Sequence, residues 1–99
     1  MNVIKTVGGS RMDIALEGKF DAVSAPAFES GIAHELTGIS ELYIDLGKVD
    51  YISSAGLRAL LFIQQTLEES GGKMTVCSVP EIVMNIFEVT GFNDIINVI

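Results

Sequence analysis

Short apolar runs of strand length alternate with helix-patterned stretches along this chain, and Gly, Pro, Ser or Asp marks nearly every junction. That alternation restricts the fold more than any other feature. A single strand flanked by helices has no hairpin partner and must reach its neighbour by a crossover, which makes the pair parallel. The opening differs. Residues 3–7 and 12–16 read as two strands joined by Gly8-Gly9-Ser10, a turn of hairpin length. Met12, Ile14 and Leu16 alternate with Asp13, Ala15 and Glu17, the signature of a strand with one buried face.

Beyond the hairpin, Ser24-Ala25-Pro26 opens a helix, with Ser24 as cap and Pro in the first turn. Phe28, Ile32, Ala33 and Leu36 recur at helical spacing, and Gly38 stops the run. Residues 42–46 read as a buried central strand. A second helix is expected over 54–70, a strand over 73–79, a third helix over 80–89 and a last strand over 95–99. The expected architecture is an α/β sandwich: a mixed sheet of about five strands, with an antiparallel opening hairpin and parallel later strands, carrying about three helices. At 99 residues the chain is read as one domain spanning 1–99.

Several function classes find little support. The formal charge is −7, from 13 acids against 6 bases, and the bases form no run. Nucleic-acid backbones require clustered Lys and Arg, so no nucleic-acid partner is expected. No apolar block approaches the roughly 20 residues of a membrane span, and no secretion signal opens the chain. The lone Cys77 allows no internal disulfide, suits a reducing compartment, and reads as a small core residue. A cytoplasmic location is the expectation. No metal site is expected, because Cys77 has no Cys or His near it in sequence, and no phosphate-binding glycine loop suggests a cofactor. Catalysis is equally poorly supported. Ser53-Ser54-Ala55-Gly56 is no nucleophile elbow, and the single histidine, His34, reads as a surface residue.

Function is therefore sought at Asp50-Tyr51-Ile52-Ser53-Ser54-Ala55-Gly56-Leu57-Arg58, where a strand-like run gives way to the longest helix-like run. A helix start presents free N–H groups and the positive end of the helix dipole. Ser54 there reads first as a cap, contributing about 1 kcal/mol. The second reading is regulatory: a phosphate on Ser54 adds nearly two negative charges that the helix start tolerates. On a helical wheel, Leu57, Leu60, Ile63, Gln64 and Leu67 turn towards the sheet. Arg58, Phe62, Gln65 and Glu69 turn away from it, with Ala55 and Leu61 at the flanks. Ser54, Arg58, Leu61, Phe62 and Gln65 would then form a docking patch for a partner, unless Phe62 tucks under a neighbouring helix. Arg58, one turn on, could reach a phosphate on Ser54 or contact the partner instead.

Tyr43-Ile44-Asp45-Leu46 followed by Val49-Asp50-Tyr51-Ile52-Ser53-Ser54-Ala55-Gly56-Leu57 resembles the signature of STAS domains, and more narrowly of bacterial anti-sigma factor antagonists. The resemblance extends to Gly18-Lys19-Phe20-Asp21, Gly71-Gly72-Lys73-Met74 and Phe87-Glu88-Val89-Thr90-Gly91-Phe92. It implies a non-enzymatic switch. In that family the unphosphorylated antagonist binds an anti-sigma factor, often a serine kinase, and releases a sigma factor. Phosphorylation ends the association and a serine phosphatase restores it. By resemblance the acceptor is Ser54, with Ser53 the alternative. Asp21 matches a family aspartate near that serine, and Ser53, Ala55 and Arg58 fall in the partner surface. Ser53 stands where switching members commonly carry Asp, and many relatives continue beyond the position of Ile99 into a further helix. The alternative implied by the same fold is a STAS interaction subunit of a lipid-transport or sensory assembly, without a phosphate switch. Self-association through a strand edge or the Phe62 face is a further expectation.

Overall fold

The computed structural model describes all 99 residues, Met1–Ile99. Strand β1 (Asn2–Gly8) turns back on β2 (Arg11–Phe20), followed by helix α1 (Ser24–Ala33) and β3 (Glu41–Ile52). Helix α2 (Ser54–Glu69), β4 (Lys73–Cys77), helix α3 (Glu81–Thr90), a 3-10 turn (Phe92–Asp94) and β5 (Asn97–Val98) complete the chain. The sheet runs in sequence order, β1-β2-β3-β4-β5, antiparallel at β1–β2 and parallel thereafter. This is the expected α/β sandwich of five strands and three helices.

One face of the sheet forms the core. Met12, Ile14 and Leu16 of β2 and Leu42, Ile44 and Leu46 of β3 are buried. They join Phe28 and Ile32 of α1, Leu60, Ile63 and Leu67 of α2, and Val83 and Phe87 of α3 in a single cluster. Asp13, Ala15, Tyr43 and Asp45, the alternate residues of β2 and β3, lie half-buried on the other face.

Several boundaries differ from the sequence expectation, each for a local reason. The two central strands run past residues 16 and 46 to Phe20 and Ile52, because their parallel ladder continues through register shifts between Ala15 and Glu17 and between Gly18 and Lys19. Gly18, at φ +105°, accommodates a backbone bend that other residues rarely adopt. The first helix ends at Ala33 with His34 as its cap, so Leu36 and Ile39 are buried from the connection rather than from the helix. Ser24 is helical, not the cap. The strand expected over 73–79 stops at Cys77, and Ser78 turns the chain at φ +56°. The last strand shrinks to Asn97–Val98, because the Ile95 and Ile96 N–H groups donate back to the Phe92 carbonyl at 3.0 and 3.1 Å, closing the 3-10 turn of 92–94 instead of joining the ladder. Cys77 is not a core residue. It lines the half-open face with Asp13, Tyr43 and Asp45, and loss of hydration there pushes its thiol pKa up.

Candidate functional site: a serine turn at the carboxyl ends of two central strands

Phe20 pairs with Ile52 at the end of the β2–β3 ladder, so the next residues, Asp21 and Ser53, leave the sheet side by side. The Ser53 N–H donates to the Phe20 carbonyl at 3.0 Å, which ties the start of α2 to the end of β2. Gly56 completes that anchor. A Cβ at Gly56 would lie 2.7 Å from the Phe20 carbonyl oxygen and 2.8 Å from Ile52 Cγ1, so only glycine lets the first turn of α2 sit this close.

The cap of α2 is Ser53, in extended conformation at φ −97°, ψ 176°; its Oγ accepts from the Gly56 N–H at 3.4 Å and its carbonyl accepts from Leu57 N–H at 3.0 Å. This corrects the reading of Ser54 as cap. Ser54 is the first helical residue, is exposed, and its hydroxyl makes no hydrogen bond within the chain. The two adjacent serines thus divide the work: Ser53 closes the helix end and Ser54 presents a free hydroxyl at the positive end of a sixteen-residue helix.

Asp21 performs the equivalent task for α1. Its Oδ1 accepts from Val23 N–H at 3.0 Å and Ser24 N–H at 3.1 Å. The Ser24 hydroxyl donates to the Lys19 carbonyl at 2.7 Å and accepts from Asp21 N–H at 3.0 Å. The Ser24 and Val23 N–H groups hold the Asp21 carboxyl below the usual carboxylate range.

Along α2 the outward stripe forms as the wheel indicates. Arg58 and Gln65 are exposed, Ala55 and Leu61 half-buried, and Phe62 stays 42% exposed rather than tucking under a neighbour. The buried stripe is rotated relative to the wheel. Gly56 and Ala59 lie in it with Leu60, Ile63 and Leu67, while Leu57 is half-buried. Gln64 reaches sideways and donates to the Ile95 carbonyl at 3.0 Å. Arg58 forms no ion pair, whereas Lys5, Arg11 and Lys48 each do. Two features of this end escaped the sequence reading. Val23, 85% exposed, and Tyr51, 46% exposed, add apolar surface two residues from Asp21 and Ser53 respectively. The only signal for Val23 was an aliphatic residue stranded between turn residues. No group of three or more His, Cys, Asp or Glu side chains converges anywhere as a metal site would require.

The STAS domain model matches residues 2–99. The chain belongs to the STAS domain family. BtrV of Bordetella bronchiseptica, a candidate anti-sigma factor antagonist, is 35% identical over 78 residues, covering 78% of this chain and 67% of the relative. The anti-sigma-B factor antagonist of Listeria monocytogenes is 29% identical over 98 residues, covering 96% of this chain and 84% of the relative. Among solved structures, the unphosphorylated anti-sigma factor antagonist SpoIIAA superposes with a TM-score of 0.86 over 99% of this chain and 88% of its own, at 15% identity. The phosphorylated form of Bacillus SpoIIAA superposes with a TM-score of 0.72, over 99% and 91%. At that identity the structures speak for the STAS fold alone. Both of these relatives carry the name anti-sigma factor antagonist, BtrV as a candidate, and no helix in this chain is long and apolar enough to cross a membrane.

Proposed function

We propose that this STAS domain is an anti-sigma factor antagonist. In its unphosphorylated state it binds an anti-sigma factor of the serine-kinase type through the outward face of α2, and phosphorylation of Ser54 ends the association. The observation that carries this reading is the free, exposed Ser54 hydroxyl beside a serine that already caps the helix. A kinase can take such a hydroxyl without dismantling the fold. The phosphate would sit at the helix start, where its charge is stabilised. It would also sit one turn from Arg58 and two from Leu61, at the edge of the surface a partner must desolvate. Added charge there costs binding energy, and a partner acid nearby adds repulsion. Asp21, Ser53 and Ala55 shape the rim, while Arg58, Leu61, Phe62 and Gln65 form the patch itself. A serine phosphatase would reset the switch. The domain works by association, not catalysis, and needs no cofactor.

The test is recovery of partners from the source organism with tagged wild-type, Ser54→Ala and Ser54→Asp chains, identified by mass spectrometry. An ATP-binding anti-sigma factor held by wild type and Ser54→Ala and lost by Ser54→Asp is the expected result. Equal recovery by all three, or transporter or sensor subunits in its place, would remove the switch and leave an interaction subunit of another assembly.

A further inference from the structure

We infer that two copies of this chain associate through β1, antiparallel and edge to edge, to form one continuous sheet of ten strands. Strand β1 is the first of the sheet and pairs only with β2, through seven uninterrupted register positions from Asn2↔Glu17 to Gly8↔Arg11. Alternate residues of its outer side therefore present unpaired N–H and C=O groups, which only another extended strand satisfies in full. The usual protections of such an edge are missing. There is no proline and no bulge, and every residue of β1 is exposed, including Ile4 at 53% and Val7 at 58%. The single lysine does not stand guard, because Lys5 Nζ is held by both carboxylate oxygens of Glu35 at 2.7 Å. The opposite edge of the sheet offers no equivalent, since β5 has only two residues.

A second copy fits this edge better than a foreign strand on two grounds. The first is charge. The chain carries −7 overall, yet residues 1–12 contain no Asp or Glu, so no carboxylate of one β1 strand opposes a carboxylate of the other. The second is self-complementarity. A two-fold axis normal to the sheet keeps both helix layers on one side and allows a register centred on Ile4. That register sets Ile4 against its symmetry mate and Val3 against Lys5, and opposes no like charges, whereas centring on Lys5 would. Beside β1, towards α1, runs a groove of about 410 Å³ lined by Met1, Val3, Val23, Ser24, Ala27 and Phe28, and this register brings Val7 of the added strand, opposite Met1, to its end. Seven residues make a short pairing, so the dimer is weak and concentration-dependent. Because both copies are acidic, added salt strengthens it.

Sedimentation of the full chain from micromolar to near-millimolar concentration tests this. A monomer–dimer equilibrium that tightens with salt is expected. Ile4→Lys, which places two ammonium groups at the axis, and Val7→Lys should each weaken the dimer by at least about tenfold. Phe62→Asp, on the α2 face, should leave it unchanged, which separates this inference from the proposed function. In a Cys77→Ser background, Ile4→Cys should cross-link across the axis under mild oxidation. Thr6→Cys should not, since the register separates those thiols by about 14 Å. A chain that stays monomeric throughout would overturn the inference and leave the edge to a partner's strand. So would a dimer indifferent to Ile4→Lys and Val7→Lys, one broken by Phe62→Asp, or equal cross-linking at positions 4 and 6.

Discussion

Two helices begin at the same end of this sheet, and they begin differently. At the start of α1, the Asp21 carboxylate holds two N–H groups and the Ser24 hydroxyl is bonded on both sides. At the start of α2, the Ser53 hydroxyl makes one long contact of 3.4 Å and the Ser54 hydroxyl makes none. In sequence the two starts look alike: a serine, a small residue, then an apolar helical run. The difference shows how a fold separates structural from available serines. A hydroxyl consumed by the backbone stabilises the turn, while one left over can be modified at little cost to stability.

That contrast can be broken most forcefully at Gly56. Gly56→Ala drives a Cβ into the Phe20 carbonyl, so it should lower stability by about 3 kcal/mol, read as a shifted urea midpoint. A loss below about 1 kcal/mol would mean the α2 start is not pinned to β2 as described. Next in size is Ser24→Ala, which strips a donor from Lys19 C=O and an acceptor from Asp21 N–H; about 1.5 kcal/mol is expected. Ser53→Ala should cost less, about 0.5–1 kcal/mol, because its capping bond is long.

The acid limb of stability sharpens the contrast further. Asp21 has a folded pKa below its unfolded value of about 3.9. Its contribution is therefore present above that value and fades as pH falls through the folded one. Acid titration of wild type against Asp21→Asn should show the two stabilities converging below about pH 4. A gap of constant size down to lower pH would contradict the assignment. Smallest of all, Ser54→Ala should stay within about 0.5 kcal/mol of wild type in the same urea experiment.

Much of this was legible in the residues, and the misses share one cause. The alternation of strand and helix patterns named the architecture because crossover geometry leaves few choices. The outward stripe of α2 could be read because Arg58, Phe62 and Gln65 follow helical spacing. What pattern could not supply was tertiary pairing. Gly47-Lys48 looks like a strand end, but the β2–β3 ladder carries the strand on to Ile52. Leu36 looks like helix and is buried from a loop, because burial fixes where a side chain points, not which element carries it. Ser53 and Ser54 are indistinguishable as caps until the Phe20 carbonyl sets the exit of the chain. The buried stripe of α2 is rotated towards Gly56 and Ala59 because close backbone approach favours small residues there, which a hydrophobicity wheel ranks low.

The most direct test of the central claim is titration calorimetry of the isolated anti-sigma partner against wild type, Ser54→Ala and Ser54→Asp, with thermal unfolding of each chain in parallel. The account predicts binding by wild type and Ser54→Ala, binding weakened at least about a hundredfold for Ser54→Asp, and three closely similar melting curves. Undiminished binding by a folded Ser54→Asp chain would contradict it.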